Sequence, residues 1–348
     1  MQALLAPLKE LAEYDEVRKI VRQGKGTVAL SGCVDSQKLH MIYGLSDGLK
    51  YKVIVTYNDL KAKEIYEEYR FYDRNVMLYP AKDLIFFQAD IHGNQLVQER
   101  IKTLRRVVEG KPVTIVTTYA ALMTPQVLWE EKDIIHTERG GSLDESKLAS
   151  RLVAMGYEKA YQVESPGQFS IRGGIVDIFD LTEENPYRIE LWGDEIDSIR
   201  SFDAESQRSL ENLDEITIYP AVEYTGEKGV SFLNYFSQED TMVFLDEPNH
   251  LTEKGEAVEE EYRQSRQHRE EKGGQNLPEN WICSFEQLQK ELNRRNCISL
   301  CALEPRQSGW KIRDKFYLEV KSVSSYNSSF ELLVKDLHQY KKQGYKIA

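Results

Sequence analysis

Residues 163–202 constrain the fold more than any other stretch: VESPGQFSIRGGIVDIFDLTEENPYRIELWGDEIDSIRSF. Four short runs rich in β-branched and aromatic residues are introduced by PG and joined by GG, NP and GD, dipeptides that mark turns. The pattern predicts a compact antiparallel meander. In its third run Tyr187, Ile189 and Leu191 alternate with Arg188, Glu190 and Trp192. A period of two puts the first three on one face and the last three on the other. The first set demands a core. The second, with a tryptophan in it, fits a partner surface better than open water.

On either side of the meander the period changes. Residues 8–22 carry a helical apolar stripe, Leu8, Leu11, Tyr14, Val17, Ile20 and Val21, stopped by QGKG. TVALSG, KYKVIVTY, VMLYP and KPVTIVTT read as strands, with helical patterns between them, including one over 95–108. Strands alternating with helices of this length predict a parallel, doubly wound α/β sheet. A helix over 143–156 has an N-cap in Asp144, staple positions in Leu143 and Leu148, and a stop in Gly156. EITIYP is expected to close the meander, after which the α/β pattern returns. SFLNYF reads as a helix, DTMVFLDEP as a buried strand and 253–272 as a solvated acidic helix. CISLCAL and WKIRDKFYLEV read as strands, and FELLVKDLHQYKKQGYKIA as a helix and a barely begun strand. The expected division is therefore 1–127, the first part of an α/β domain; 128–219, an inserted α+β domain; and 220–348, the return that completes the α/β domain. A boundary at 348 inside a longer protein is the natural expectation.

Composition narrows the function classes. With 45 basic and 57 acidic residues the formal charge is −12, whereas a nonspecific nucleic-acid binder needs a basic footprint. Cys33, Cys283, Cys297 and Cys301 have no CxxC spacing and read as small buried residues. The six histidines, at 40, 92, 136, 250, 268 and 338, form no metal-binding group, and no nucleophile elbow is present, so neither a metal nor a catalytic residue is assigned. The N-terminal 20 residues lack the apolar core of a signal or membrane anchor, which makes the cytoplasm the expected compartment and a membrane an unexpected partner.

In a nucleotide-binding α/β domain the loop after the first strand reads GxxxxGK followed by Ser or Thr. Its glycines let backbone N–H groups wrap phosphates, and the hydroxyl holds magnesium. Here Gly32 and Lys38 fit that frame, but Gln37 replaces the second glycine and Leu39 the magnesium ligand. Asp35 adds negative charge where phosphates would lie. Asp246 and Glu247, ending the strand TMVFLDEP, stand where an NTPase places its magnesium and water-activating acids. Beside so altered a loop they read as vestigial, and no cofactor site is assigned.

The string PGQFSIRGGIVDIFD, followed by PYRIELWGDEIDSIRSFDAESQRS, resembles the domain shared by the excision-repair protein UvrB and the bacterial transcription-repair coupling factors (the Mfd family). The order of segments is similar along nearly the whole chain. The resemblance implies a degenerate RecA-like P-loop domain split around an inserted α+β domain with an antiparallel sheet. It also implies that the insert binds UvrA, the damage-sensing ATPase of nucleotide excision repair. UvrB keeps an intact phosphate loop and a long aromatic DNA-clamping hairpin after the third strand. Here that stretch is only PAKDLIFFQADIHGNQLVQER, with Phe86 and Phe87, so the coupling factors are the better match. In that family an RNA-polymerase-binding domain and an ATP- and magnesium-dependent, helicase-like DNA translocase follow, here beyond residue 348. Arg172, Arg188 and Trp192 match the family's UvrA-contacting positions. Glu190 shares the face of the latter two, and Asp194 and Glu195 in the following turn are weaker candidates. The resemblance thus implies a noncatalytic adaptor that recruits repair to stalled RNA polymerase and binds DNA weakly. The alternatives are a UvrB-like ATP-dependent enzyme and a DNA-binding module using the basic run Arg100, Lys102, Arg105 and Arg106.

Overall fold

The computed structural model describes residues 2–24, 26–82, 93–222, 229–271, 282–304, 309–320, 326 and 328–347. Phe86 and Phe87, and with them most of the short segment after the third strand, lie outside the described residues, as does His92. The strands in chain order are β1 (Gly26–Ser31), β2 (Tyr51–Thr56), β3 (Val76–Tyr79) and β4 (Val113–Thr118). Then come β5 (Ile135–Glu138), β6 (Glu158–Lys159), β7 (Gln168–Arg172), β8 (Ile175–Ile178), β9 (Tyr187–Trp192), β10 (Glu195–Phe202), β11 (Ser209–Leu213) and β12 (Glu215–Ile218). β13 (Thr241–Asp246), β14 (Asn296–Leu300) and β15 (Ile312–Tyr317) complete the set.

Seven of these strands form one sheet in the order β15-β1-β14-β13-β2-β4-β3, with every pairing parallel. β4 and β13 are buried at every position, as continuous apolar runs covered on both faces should be. The sheet separates two cores. Ile54, Val116, Phe244 and Ile298 face a layer with Leu8, Val17 and Ile42, whereas Val53, Val55, Ile115 and Leu245 face the other side. That second core runs on into the inserted unit through Leu148, Leu152, Phe169, Val176 and Ile189. The α/β domain interrupted by an α+β insert is therefore the observed architecture.

The insert holds a six-stranded sheet in the order β11-β10-β9-β8-β7-β6, antiparallel except for the short β6–β7 pair. Its first hairpin turns on Gly173 and Gly174, with φ of 55° and 83°, the double positive φ that a two-residue turn of matching twist requires. Helix Glu145–Ala154 has the predicted ends: the Asp144 side chain accepts from the N–H groups of Ser146 and Lys147, and Gly156 adopts φ 89°. Polar contacts then join the two units. Arg105 reaches Thr182 and Glu183, Gln98 donates to the Leu181 carbonyl at 2.7 Å, and Tyr219 donates to Glu109 at 3.2 Å. Buried Asp180 accepts from the Thr182 and Tyr219 N–H groups at 2.7 and 2.9 Å, and burial raises its pKa.

Three sequence expectations need correction. The stripe over 8–22 is not one helix: Leu8–Glu10 is a 3-10 turn, Leu11 is extended, and an α-helix runs from Tyr14 to Arg22. Both parts close on Gly44, where an added Cβ would lie 2.3 Å from Leu8 and 2.8 Å from the Tyr14 hydroxyl. The second concerns EITIYP, which does not close the meander. β12 pairs instead with β5 in a separate two-stranded ribbon, and the outer meander strand is β11. β11 is exposed along nearly all its length, so its sequence carries no apolar alternation to read. Third, SFLNYF contributes only a 3-10 turn, Phe232–Tyr235. The acidic helix is confirmed but begins earlier, with Pro248 at its first position, where a missing N–H costs nothing.

Candidate functional site

Two places bring the sequence-predicted residues together. One is the cleft at the carboxyl ends of the parallel strands, where α/β domains of this kind bind ligands. It measures about 600 Å³ and is lined by Asp35, Lys38, Tyr57, Lys61, Asp246, Glu247, His250, Glu253 and Glu304 among others. Helix Asp35–Leu45 begins directly after the loop. Gly32 has φ 80°, and an added Cβ would sit 2.2 Å from the Leu318 carbonyl oxygen, so here glycine admits a neighbouring backbone. The Cys33 N–H donates to the Cys301 carbonyl at 3.0 Å. Lys38 is buried, and its Nζ lies 2.8 Å from Asp246, 2.7 Å from Glu247 and 3.4 Å from Asp35. Burial opposes its charge, but the Asp246 and Glu247 carboxylates outweigh it and raise the lysine pKa. Thr56 donates to Asp246 at 2.8 Å and the Ala302 N–H to Glu247 at 2.8 Å. Lys61 bonds Asp35 at 2.8 Å and holds its pKa low. The lysine and acids that the sequence pointed to thus satisfy one another. Five carboxylates against two lysines give the cleft a field that repels polyphosphate.

Burial pushes the Cys33 thiol up to about 11 and the Cys297 and Cys301 thiols to about 12, as inert core residues require.

The other place is the face of the meander turned away from the core. Ile189 is buried while Trp192 is 85% exposed, so the period-two reading of β9 holds. The register aligns Ser170, Asp177, Arg188 and Arg200 in one row across four strands, and Arg172, Ile175, Glu190 and Ser198 in the next. Arg188 donates Nε–H and an Nη2 hydrogen to the two oxygens of Asp177, at 2.6 and 2.9 Å, and reaches Gln207 at 3.0 Å. Its guanidinium lies 4.3 Å from the centre of the Phe202 ring. Arg172 donates to Asp177 at 3.1 Å and stands 5.6 Å from the ring centre of Tyr161. Glu190 is paired with Arg200 and accepts from Ser198 at 2.9 Å, contacts that lower its pKa against the effect of burial. Gly193, at φ 63°, makes the turn to Asp194 and Glu195; the Asp194 carbonyl accepts from the Leu143 N–H at 2.7 Å, and Glu195 pairs across from Trp192.

Sequence reasoning missed Asp177, Arg200 and Tyr161. Asp177 was discoverable in part, because the Gly173-Gly174 turn already pairs Arg172 with Ile175 and hence Ser170 with Asp177. Its meeting with Arg188 depends on the register across the longer 179–186 connection, where the Asn185-Pro186 turn signal marks a turn but does not fix which residues pair. Tyr161 lies in a stretch without periodicity.

Residues 135–224 match the family model of the UvrB interaction domain. Over 222 residues, 62% of this chain, the sequence is 34% identical to the transcription-repair-coupling factor of Bacillus subtilis strain 168. Over 232 residues, 64% of the chain, it is 32% identical to the transcription-repair-coupling factor of Staphylococcus aureus strain MRSA252. Each match spans 19% of the length of the relative. The resemblance read from the sequence is thereby borne out: residues 135–224 match a UvrB interaction domain, and the chain that carries them is similar over nearly two thirds of its length to the transcription-repair-coupling factors.

Proposed function

We propose that this chain is a noncatalytic docking module of a longer, cytoplasmic coupling factor. The outer face of its insert binds UvrA and so brings nucleotide excision repair to stalled RNA polymerase. Contact with the polymerase, and DNA translocation driven by ATP and magnesium, belong to domains beyond residue 348. The observation that carries the reading is the composition of the face. Two arginines and an 85% exposed tryptophan sit together on a sheet whose other side is core, within the segment that matches an interaction domain. Arg and Trp contribute disproportionately to interface energy, and a single face of adjoining strands can meet one partner surface.

A UvrB-like ATP-dependent role is disfavoured by the cleft, where Lys38 is neutralised by the chain's own acids. A DNA-binding role through the basic run is disfavoured because Arg100 is buried and Arg105 is paired with Glu109 and Glu183. The test is calorimetric titration of the purified chain with UvrA. Trp192→Ala is expected to weaken binding by about 2 kcal/mol or more, roughly thirtyfold, with stability unchanged. Arg188→Ala is expected to weaken it at least as much while also lowering the melting temperature, because it leaves buried Asp177 with Arg172 alone. If both variants stay folded and bind as tightly as the parent, this face is not the dock.

A further inference from the structure

We infer that Asp177 is a positioning residue of the docking face, its buried carboxylate holding the Arg188 and Arg172 guanidiniums in place for a carboxylate of the partner. The inference rests on reading this face as the UvrA dock. Asp177 is 1% exposed, although it stands on the row of the sheet that points away from the core. A carboxylate so placed is tolerated only when paired and hydrogen-bonded. Arg188 supplies a two-point fork and Arg172 a third hydrogen bond. With Phe202 against its guanidinium and Gln207 on its Nη2, Arg188 is fixed on three sides and covers Asp177 from solvent.

The charge count then matters. One carboxylate between two guanidiniums leaves a net positive charge, and Glu190 does not cancel it because Arg200 pairs with Glu190. Arg172 is the more exposed arginine, and a guanidinium has five donors, of which one is engaged by Asp177. Exposed Tyr161 provides apolar surface beside Arg172, and exposed Trp192 lies further along the same face of β9, two residues beyond Glu190. The matching partner chemistry is a carboxylate flanked by apolar groups, met by the remaining donors of Arg172, whose guanidinium Asp177 and Tyr161 already orient, which lowers the entropy of ordering on binding.

A merely structural aspartate and a positioning one differ in additivity. The experiment is a double-mutant cycle on Arg188→Ala and Asp177→Asn, with melting temperature and UvrA affinity measured on the same four proteins. Asp177→Asn is expected to weaken UvrA binding by about tenfold or more, and to add only a smaller further loss, carried through Arg172, once Arg188 is alanine. In parallel, the Arg188 Nε–H resonance in 15N NMR should be protected from solvent exchange in the parent and lose protection in Asp177→Asn. If Asp177→Asn melts below the titration temperature, Asp177→Ser, which keeps a hydroxyl acceptor, takes its place in the cycle. Losses that simply add, an Nε–H that stays protected, or a folded Asp177→Asn that binds UvrA like the parent overturns the inference. If instead Arg188→Ala itself binds as the parent does, the docking reading fails.

Discussion

Ile189 and Trp192 lie three positions apart on β9 and answer to different constraints. Ile189 is buried against the insert's core, so Ile189→Ala is expected to cost about 2–5 kcal/mol of stability in denaturant titration. Trp192 is almost wholly in solvent, and Trp192→Ala should stay within about 0.5 kcal/mol of the parent in the same measurement. Any loss of UvrA affinity in that variant therefore reports contact rather than folding. Lys38 poses the opposite case. Its ammonium is what makes buried Asp246 tolerable, so Lys38→Met should destabilise the chain by about 3–5 kcal/mol, as breaking a buried pair on one side does. Chemical denaturation checks it; an unchanged midpoint would show that the ion-pair network does not hold the cleft together.

At the level of elements, helix Glu145–Ala154 is bounded by two local devices that can be tested apart. Asp144 caps its start, and the hydrogen bond with Ser146, with those to the Lys147 N–H and side chain, lowers the Asp144 pKa to about 2. A carboxyl whose folded pKa lies below its unfolded value stabilises the fold above the unfolded pKa and loses that contribution as pH falls through the folded one. The melting-temperature gap between the parent and Asp144→Ala should thus be full at pH 6 and shrink between the ordinary carboxyl value of 3.8 and about 2. A gap independent of pH would remove the charged cap from the account. At the other end, Gly156 holds φ 89°, and an added Cβ would fall 2.4 Å from Val222. Gly156→Ala is expected to lower stability by about 1–3 kcal/mol through that strain alone, read by thermal melting.

For the whole molecule, the cleft at the sheet's carboxyl edge and the proposed docking face on the insert are governed by different charge balances. The cleft is acidic and internally paired, so millimolar magnesium-ATP should leave the melting temperature unchanged. A ligand at a hundredfold excess over its Kd would add about 2.7 kcal/mol of stability, and a shift of that kind would sink the noncatalytic reading. The net charge of −12 argues the same way for DNA. Fluorescence anisotropy near physiological salt is expected to give no submicromolar binding and no preference for damaged duplex.

The sequence by itself determined the class of each unit and, where apolar and polar residues alternate as in β9, the face of the strand, because those depend on short periods that water enforces locally. The two-residue turn at Gly173-Gly174, the Asp144 cap and the inward set Tyr187, Ile189 and Leu191 were all legible for that reason. Only the tertiary structure decided what lies opposite what. The 8–22 stripe divides into a turn and a helix that both pack on Gly44, and EITIYP leaves the meander for a strand some 80 residues earlier, Ile135–Glu138. The loop GCVDSQKL showed which phosphate-binding features were missing, but not that Lys38 would meet Asp246 and Glu247 across 208 and 209 residues of chain. Likewise Arg188 and Trp192 could be placed on an outward face, whereas Asp177 beneath Arg188 could not. Periodicity specifies which way a side chain points; its partner is set by strand register and long-range packing, which no local pattern encodes.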